Sequence, residues 1–71
     1  MGFRDMDLND QVRASLRRDS RLAGLRIDVN VRNGIVHLSG SVPPRVRRHA
    51  LKLARSVESV AAVIDEMNSE Q

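Results

Sequence analysis

Leu25-Arg26-Ile27-Asp28-Val29-Asn30-Val31-Arg32-Asn33-Gly34-Ile35-Val36-His37-Leu38-Ser39-Gly40-Ser41-Val42 decides the fold. From Leu25 to Arg32, apolar and polar residues alternate strictly, the period of a strand with one buried face. Asn33-Gly34 then favours a type I′ turn, in which both central residues take positive φ and the twist matches that of a hairpin. The return strand occupies 35–42. Val36, Leu38 and Val42 are expected to face the core together with Ile27, Val29 and Val31. Gly40 interrupts this strand, and a glycine there marks a place where something packs close to the backbone. Asn33, Gly34 and Gly40 are therefore read as structural positions.

Outward from the hairpin, helical periods flank it. Residues 7–18 carry Leu8, Val12 and Leu16 at i, i+4 and i+8, one apolar stripe. Asp7 suits the N-cap, and Arg17 and Arg18 complement the opposite end of the macrodipole. After the hairpin, Pro43-Pro44 stops the strand because proline cannot donate to a ladder. A second helix is expected over 44–56, with Val46, Ala50, Leu53, Ala54 and Val57 inward and Arg47, Arg48, Lys52 and Arg55 outward. Residues 60–67 read as a third strand. The order is α-β-β-α-β, with no linker and no internal repeat.

The totals bound the rest. A chain of 71 residues is one domain with a thin core. It has no cysteine, so no disulfide or thiolate metal site holds it together. Charged residues make up 30% and hydrophobic residues 41%, a globular balance. The net charge is +3, and eleven of the twelve basic residues are arginine. Such a charge permits attraction to anionic surfaces without requiring it. Phe3 is the only aromatic residue, so the usual stacking platform for single-stranded nucleic acid is missing. No apolar run reaches the roughly 18 residues that span a bilayer. The first residues lack the basic-then-apolar order of a signal peptide, and Met6 breaks a myristoylation motif. As written, the chain is expected to be cytoplasmic; cut from a longer exported protein, it would be periplasmic or envelope-associated.

Several motifs carry a resemblance. Ile27-x-Val29-x-Val31 followed by Asn33-Gly34-x-Val36-x-Leu38-x-Gly40-x-Val42 resembles the central signature of the BON domain, a bacterial osmotic-stress and nodulation-type module. Arg47-x-x-Ala50-x-x-Leu53-Ala54 is similar to its second helix, and Val57-x-x-Val60-x-x-Val63-x-Asp65-x-Met67 resembles its closing strand. The likeness covers residues 7–67 as a single stand-alone copy, leaving 1–6 and 68–71 as flexible tails. It departs at Ser59, where the family usually has glycine, and at Pro43-Pro44, where a small polar residue commonly opens the helix. The resemblance implies an α+β fold, a three-stranded mixed sheet with two helices packed on one face. It also implies a non-enzymatic binding module of osmotic-stress and envelope proteins that contacts phospholipid, envelope surfaces or proteins. It brings no catalytic residues and no cofactor.

Read for chemistry, most polar residues stay ordinary. His37 and His49 sit in different elements without a ligand pair, so no metal site is expected. Asp65 has no second acid or base in sight and is expected to bond backbone amides at the core's edge. No nucleophile–base constellation suggests an enzyme. The arginine set has more reach. At about 100° per residue, Arg48, Lys52 and Arg55 share one outward strip of the second helix, with Leu51 expected beside them on the outside. Charge for anionic headgroups next to an apolar contact suits an anionic phospholipid surface or an acidic envelope partner; a merely solvated face is the plain alternative. Nucleic acid is a weaker user of the strip, since no GxxG clamp or helix-turn-helix is visible. The uncovered sheet face offers a second surface. Ile35, His37 and Ile64 are expected there, as an interface to a protein partner or to another copy in a homo-oligomer, with the open strand edges as a further route to self-assembly.

Overall fold

The computed structural model describes residues 3–69, so residues 1–2 and 70–71 of the expected tails lie outside the described residues. The element order is α1 (Phe3–Arg18), β1 (Asp28–Arg32), β2 (Ile35–Val42), α2 (Pro44–Ser56) and β3 (Ala62–Ser69). β2 is the central strand, antiparallel to β1 and parallel to β3. This is the expected mixed three-stranded sheet of an α+β fold. α1 packs against β1 and α2 against β2 and β3, and the two helices touch each other.

The hairpin forms as its residues dictate. Asn33 and Gly34 have φ of 53° and 78°, and Arg32 pairs with Ile35 across a two-residue loop. Val31, Val36, Leu38 and Val42 are buried, whereas Ile27 and Val29 are half-buried at the sheet's edge. They meet Leu8, Val12 and Leu16 of α1, Ala50 and Ala54 of α2 and Met67 of β3 in one core. The fully buried positions of α2 are the two alanines, while Val46, Leu51, Leu53 and Val57 pack half-buried around them against the core.

Three element bounds differ from expectation. α1 begins at Phe3 rather than Asp7, because the Asp5 carboxylate accepts the N–H groups of Asn33 and Gly34, at 2.9 and 3.1 Å, and ties the first turn to the hairpin. Asp7 therefore lies inside the helix. β1 pairs only from Asp28, so Leu25 to Ile27 approach the sheet outside the ladder. β3 starts at Ala62 and extends to Ser69, with Val60 packed on the core from the preceding loop. The connector contributes Leu22, 2% exposed, which periodicity does not mark.

Both outer strand edges are partly capped by side chains. Asn9 Nδ2 donates to the Val29 carbonyl at 3.2 Å, and Asp65 Oδ1 accepts the Met67 N–H at 3.0 Å. An edge whose backbone groups are already bonded is a poorer template for adding another strand.

Ser59 has φ of 79°. An L-residue in the left-handed region costs roughly 1–2 kcal/mol, a cost glycine avoids. The backbone at Ser59 thus has the conformation that a glycine would favour. Ser59→Gly is expected to stabilise the domain by about 0.5–1 kcal/mol, the strain relief less the added freedom of the unfolded chain. A rise of a few degrees in the thermal midpoint would show it.

Candidate functional site

α2 sorts its polar residues by what surrounds them. Ala50 and Ala54 point into the core at 0% exposure. At about 100° per residue, the opposite side of the helix carries Arg45, Arg48, Lys52 and Arg55, and all four are exposed. Among the described residues no carboxylate makes a salt bridge with any of them. The helix itself contains no acidic residue. Pro43 supplies no side-chain cap, and the first turn has no acid, so nothing local offsets the positive end of the macrodipole. The expected strip of Arg48, Lys52 and Arg55 is present, and Arg45 extends it by one turn. That addition was readable from the sequence, since Arg45 precedes Arg48 by three residues.

The flanking polar residues are held by acids from other elements. Arg47 Nε donates to Asp65 Oδ2 at 2.8 Å. Asp65 also bonds a backbone amide, as expected, and so ties α2 to β3. On the other flank, His49 Nε2 lies 2.6 Å from Asp19 Oδ2. Asp19 Oδ1 accepts the Arg21 N–H, and its main-chain carbonyl accepts the N–H groups of Leu22 and Ala23. Asp19 thereby organises the connector that delivers Leu22 to the core and clasps it to α2.

The His49 hydrogen bond, followed by the Arg21 N–H, holds the Asp19 carboxyl below its ordinary pKa of 3.8. A carboxyl with a depressed folded-state pKa stabilises the native state above its unfolded pKa, and the contribution disappears as pH falls through the folded value. Asp19→Asn is therefore expected to melt below the wild type at neutral pH. The gap should close as the pH drops below about 4, where the wild-type carboxyl also becomes neutral. Thermal melts of both proteins between neutral and acid pH check this.

Leu51 corrects the sequence reading. It is half-buried and packed against the core, not exposed beside the basic strip. Its direction, between the outer face and the sheet, lets a long side chain cover the core's margin where the alanines leave room. The exposed large apolar residues among those described are Met6 and Ile64, neither of them on α2. The strip is therefore a charged surface without an inserting side chain.

The other expected surface is the uncovered sheet face. Ile35, His37 and Ile64 all lie on it, with His37 beside Ile64 in register and Ile35 beside Ala62. Ile64 is 42% exposed, and His37 Nδ1 stands 3.5 Å from Glu66 Oε2. Arg32, Asp28 and Asn30 complete a mostly polar surface with a small apolar centre.

Sequence reasoning missed the basic residues of α1. Asp5 fixes the start of α1 at the hairpin turn, so its C-terminal half, with exposed Arg13, Arg17 and Arg18, lies at the end where α2 begins. Their placement beside the segment that enters β1 depends on helix packing, for which the sequence carries no local signal.

The comparison with family models matches the BON domain over residues 4–71, nearly the whole chain. The chain belongs to the BON domain family. A search of the curated proteins returned no match. BON domains are known as lipid- and membrane-binding domains and are generally non-catalytic. In this BON domain, no helix among the described residues is long and apolar enough to cross a membrane. Ser59, where the sequence departs from the family's usual glycine, has a left-handed backbone, the conformation that glycine adopts without strain.

Proposed function

We propose that this BON domain is a non-catalytic peripheral module that docks on anionic phospholipid surfaces through Arg45, Arg48, Lys52 and Arg55. The observation that carries the reading is four outward cations on a helix without a single acid, none of them ion-paired with a described carboxylate. Cations already bonded to their own protein have little to offer a headgroup; these retain their charge for a partner. Because Leu51 is half-buried against the core, docking rests on electrostatics and not on insertion.

Vesicle co-sedimentation tests this. Phosphatidylcholine vesicles containing phosphatidylglycerol should pull the domain down at low salt, and pure phosphatidylcholine should not. Equal binding to both compositions would sink the reading. A parallel titration with a single-stranded oligonucleotide addresses the nucleic-acid alternative, which the near-absence of aromatic residues disfavours.

A second reading is self-assembly through the open sheet face, favoured by the exposure of Ile64 next to Ile35 and His37. The capped edges at Val29 and Met67 argue for the face over the strand edges as the contact. This reading expects a dimer by sedimentation at micromolar concentration, shifted to monomer by Ile64→Lys. A monomeric wild type over a wide concentration range would remove it.

A further inference from the structure

Strand register lays out the open sheet face as rows. Arg32, Ile35 and Ala62 stand side by side, then Asn30, His37 and Ile64, then Asp28, Ser39 and Glu66. Val31, Val36 and Leu38 alternate with them and point into the core. Charge is divided along this face. Arg32 is in the first row, both carboxylates are in the third, and Ile64, 42% exposed, lies between. Arg32 and Asp28 are exposed, and neither forms a salt bridge with a described residue. Glu66 faces His37 of its own chain at 3.5 Å.

A face with opposite charges at its two ends complements a reversed copy of itself. In a two-fold dimer of stacked sheets the axis lies in the plane between them, and each contact occurs twice. Stacked sheets with aligned strands allow that axis to run along the strands or across them. Along the strands, each row meets its own copy with β1 over β3. Asp28 then opposes the partner's Glu66 twice, and Ile64 lies over the partner's Asn30. Across the strands, through the second row, β1 lies over β1 and the first row meets the third. Arg32 then opposes the partner's Asp28 twice, and Ile64 packs on the partner's Ile64. We propose that the domain forms this second dimer, its open sheet face stacked on another copy with the strands reversed. The inference rests on the self-assembly reading above and adds its partner contacts. At sheet spacings the face covers roughly 400 Å² per copy, about half of what a standard stable interface buries. The dimer is therefore weak and reversible, and charge sets its direction.

Sedimentation equilibrium of the full chain at low salt tests the arrangement through charge reversal. Arg32→Asp places like charges opposite each other at both ends, and so does Asp28→Arg. Each variant is expected to weaken the dimer about tenfold. Both positions are exposed, so melting temperatures should change little. Mixing the two single variants should restore association as a heterodimer, because each contact then joins an arginine to an aspartate. The double variant carrying both changes should again pair with itself at wild-type strength. A fold defect in either single variant would not be repaired by mixing. If Asp28→Arg instead tightens the dimer, the strands stack in the same direction, with an arginine opposite Glu66, and the proposal is overturned while self-assembly through this face stands. A wild-type dimer indifferent to both substitutions, or a mixture that fails to associate, overturns it as well. A wild type that stays monomeric up to millimolar concentration removes the self-assembly reading together with the arrangement.

Discussion

Gly40→Ala is expected to unfold much of the population at room temperature. Gly40 has φ of 125°, and a Cβ built there would stand 2.5 Å from the Arg26 main-chain carbonyl oxygen. Two costs therefore coincide. A side-chain-bearing residue in that backbone region is strained by about 1–3 kcal/mol. The overlap meets backbone rather than a flexible side-chain tip, so residues 26–27 must move away from β2 and disturb the approach that seats Leu25 and Ile27. A combined loss of roughly 3 kcal/mol or more follows. Domains of this size rarely hold more than about 3–5 kcal/mol from a single core. The thermal midpoint should fall by at least about 10 °C, taking roughly 4–8 °C for each kcal/mol in a chain of this length. Gly24→Ala is the matched control. Nothing lies within 4 Å of a Cβ at Gly24, and its φ is not in the left-handed range. That variant is expected to melt within a few degrees of the wild type or slightly above it, because alanine narrows the unfolded ensemble. Circular dichroism melts of the three proteins settle the comparison, and a stable Gly40→Ala domain would mean that the Arg26 carbonyl does not cover β2 in this way.

Replacing Arg45, Arg48, Lys52 and Arg55 together with glutamine is expected to reduce affinity for anionic vesicles by about a thousandfold. Each basic residue near an anionic surface contributes about 1 kcal/mol, and four of them sum to roughly three decades in the binding constant. Glutamine keeps a polar side chain of good helix propensity, and all four positions are exposed, so the melting temperature should change little. Wild-type binding should also weaken steeply with salt, since exposed charges are screened over about 8 Å at physiological ionic strength. Leu51→Ser gives a different signature. Because Leu51 packs on the core, its replacement should lower stability and leave the vesicle affinity of the folded domain unchanged. A Leu51→Ser domain that stays as stable as wild type but loses lipid would show that the side chain inserts after all. A quadruple variant that still binds anionic vesicles at wild-type strength would remove the α2 strip as the docking surface and leave the open sheet face as the stronger candidate.

The local parts of this fold were written in local residue order. Alternation across 25–42 and the Asn33-Gly34 pair placed the hairpin and its buried face, because strand period and positive φ are properties of a few adjacent residues. Pro44 and the inward Ala50 and Ala54 placed α2 at the bounds observed. The outward cations of α2 were equally legible, as helical geometry alone sets their direction. What the sequence left open depended on residues far apart in the chain. The start of α1 moved to Phe3 because Asp5 meets amides 28 and 29 residues away. Arg47, expected outward, meets Asp65 from β3, and His49 meets Asp19 from the connector.

Leu51 shows the same division most clearly. Helical angle places it at the boundary between the inner and outer faces, and angle alone cannot say how far the core extends. Ala50 and Ala54 are fully buried, and the boundary leucine packs half-buried against the same core. By itself, then, the sequence determined the order of elements, the hairpin, the basic face of α2 and the family. Only the tertiary structure decided which cations are paired with an acid from elsewhere in the fold, where α1 lays its arginines, and that Leu51 packs half-buried against the core. The physical reason is that period and turn chemistry act between neighbours in the chain, whereas pairing and burial depend on what the fold brings from elsewhere.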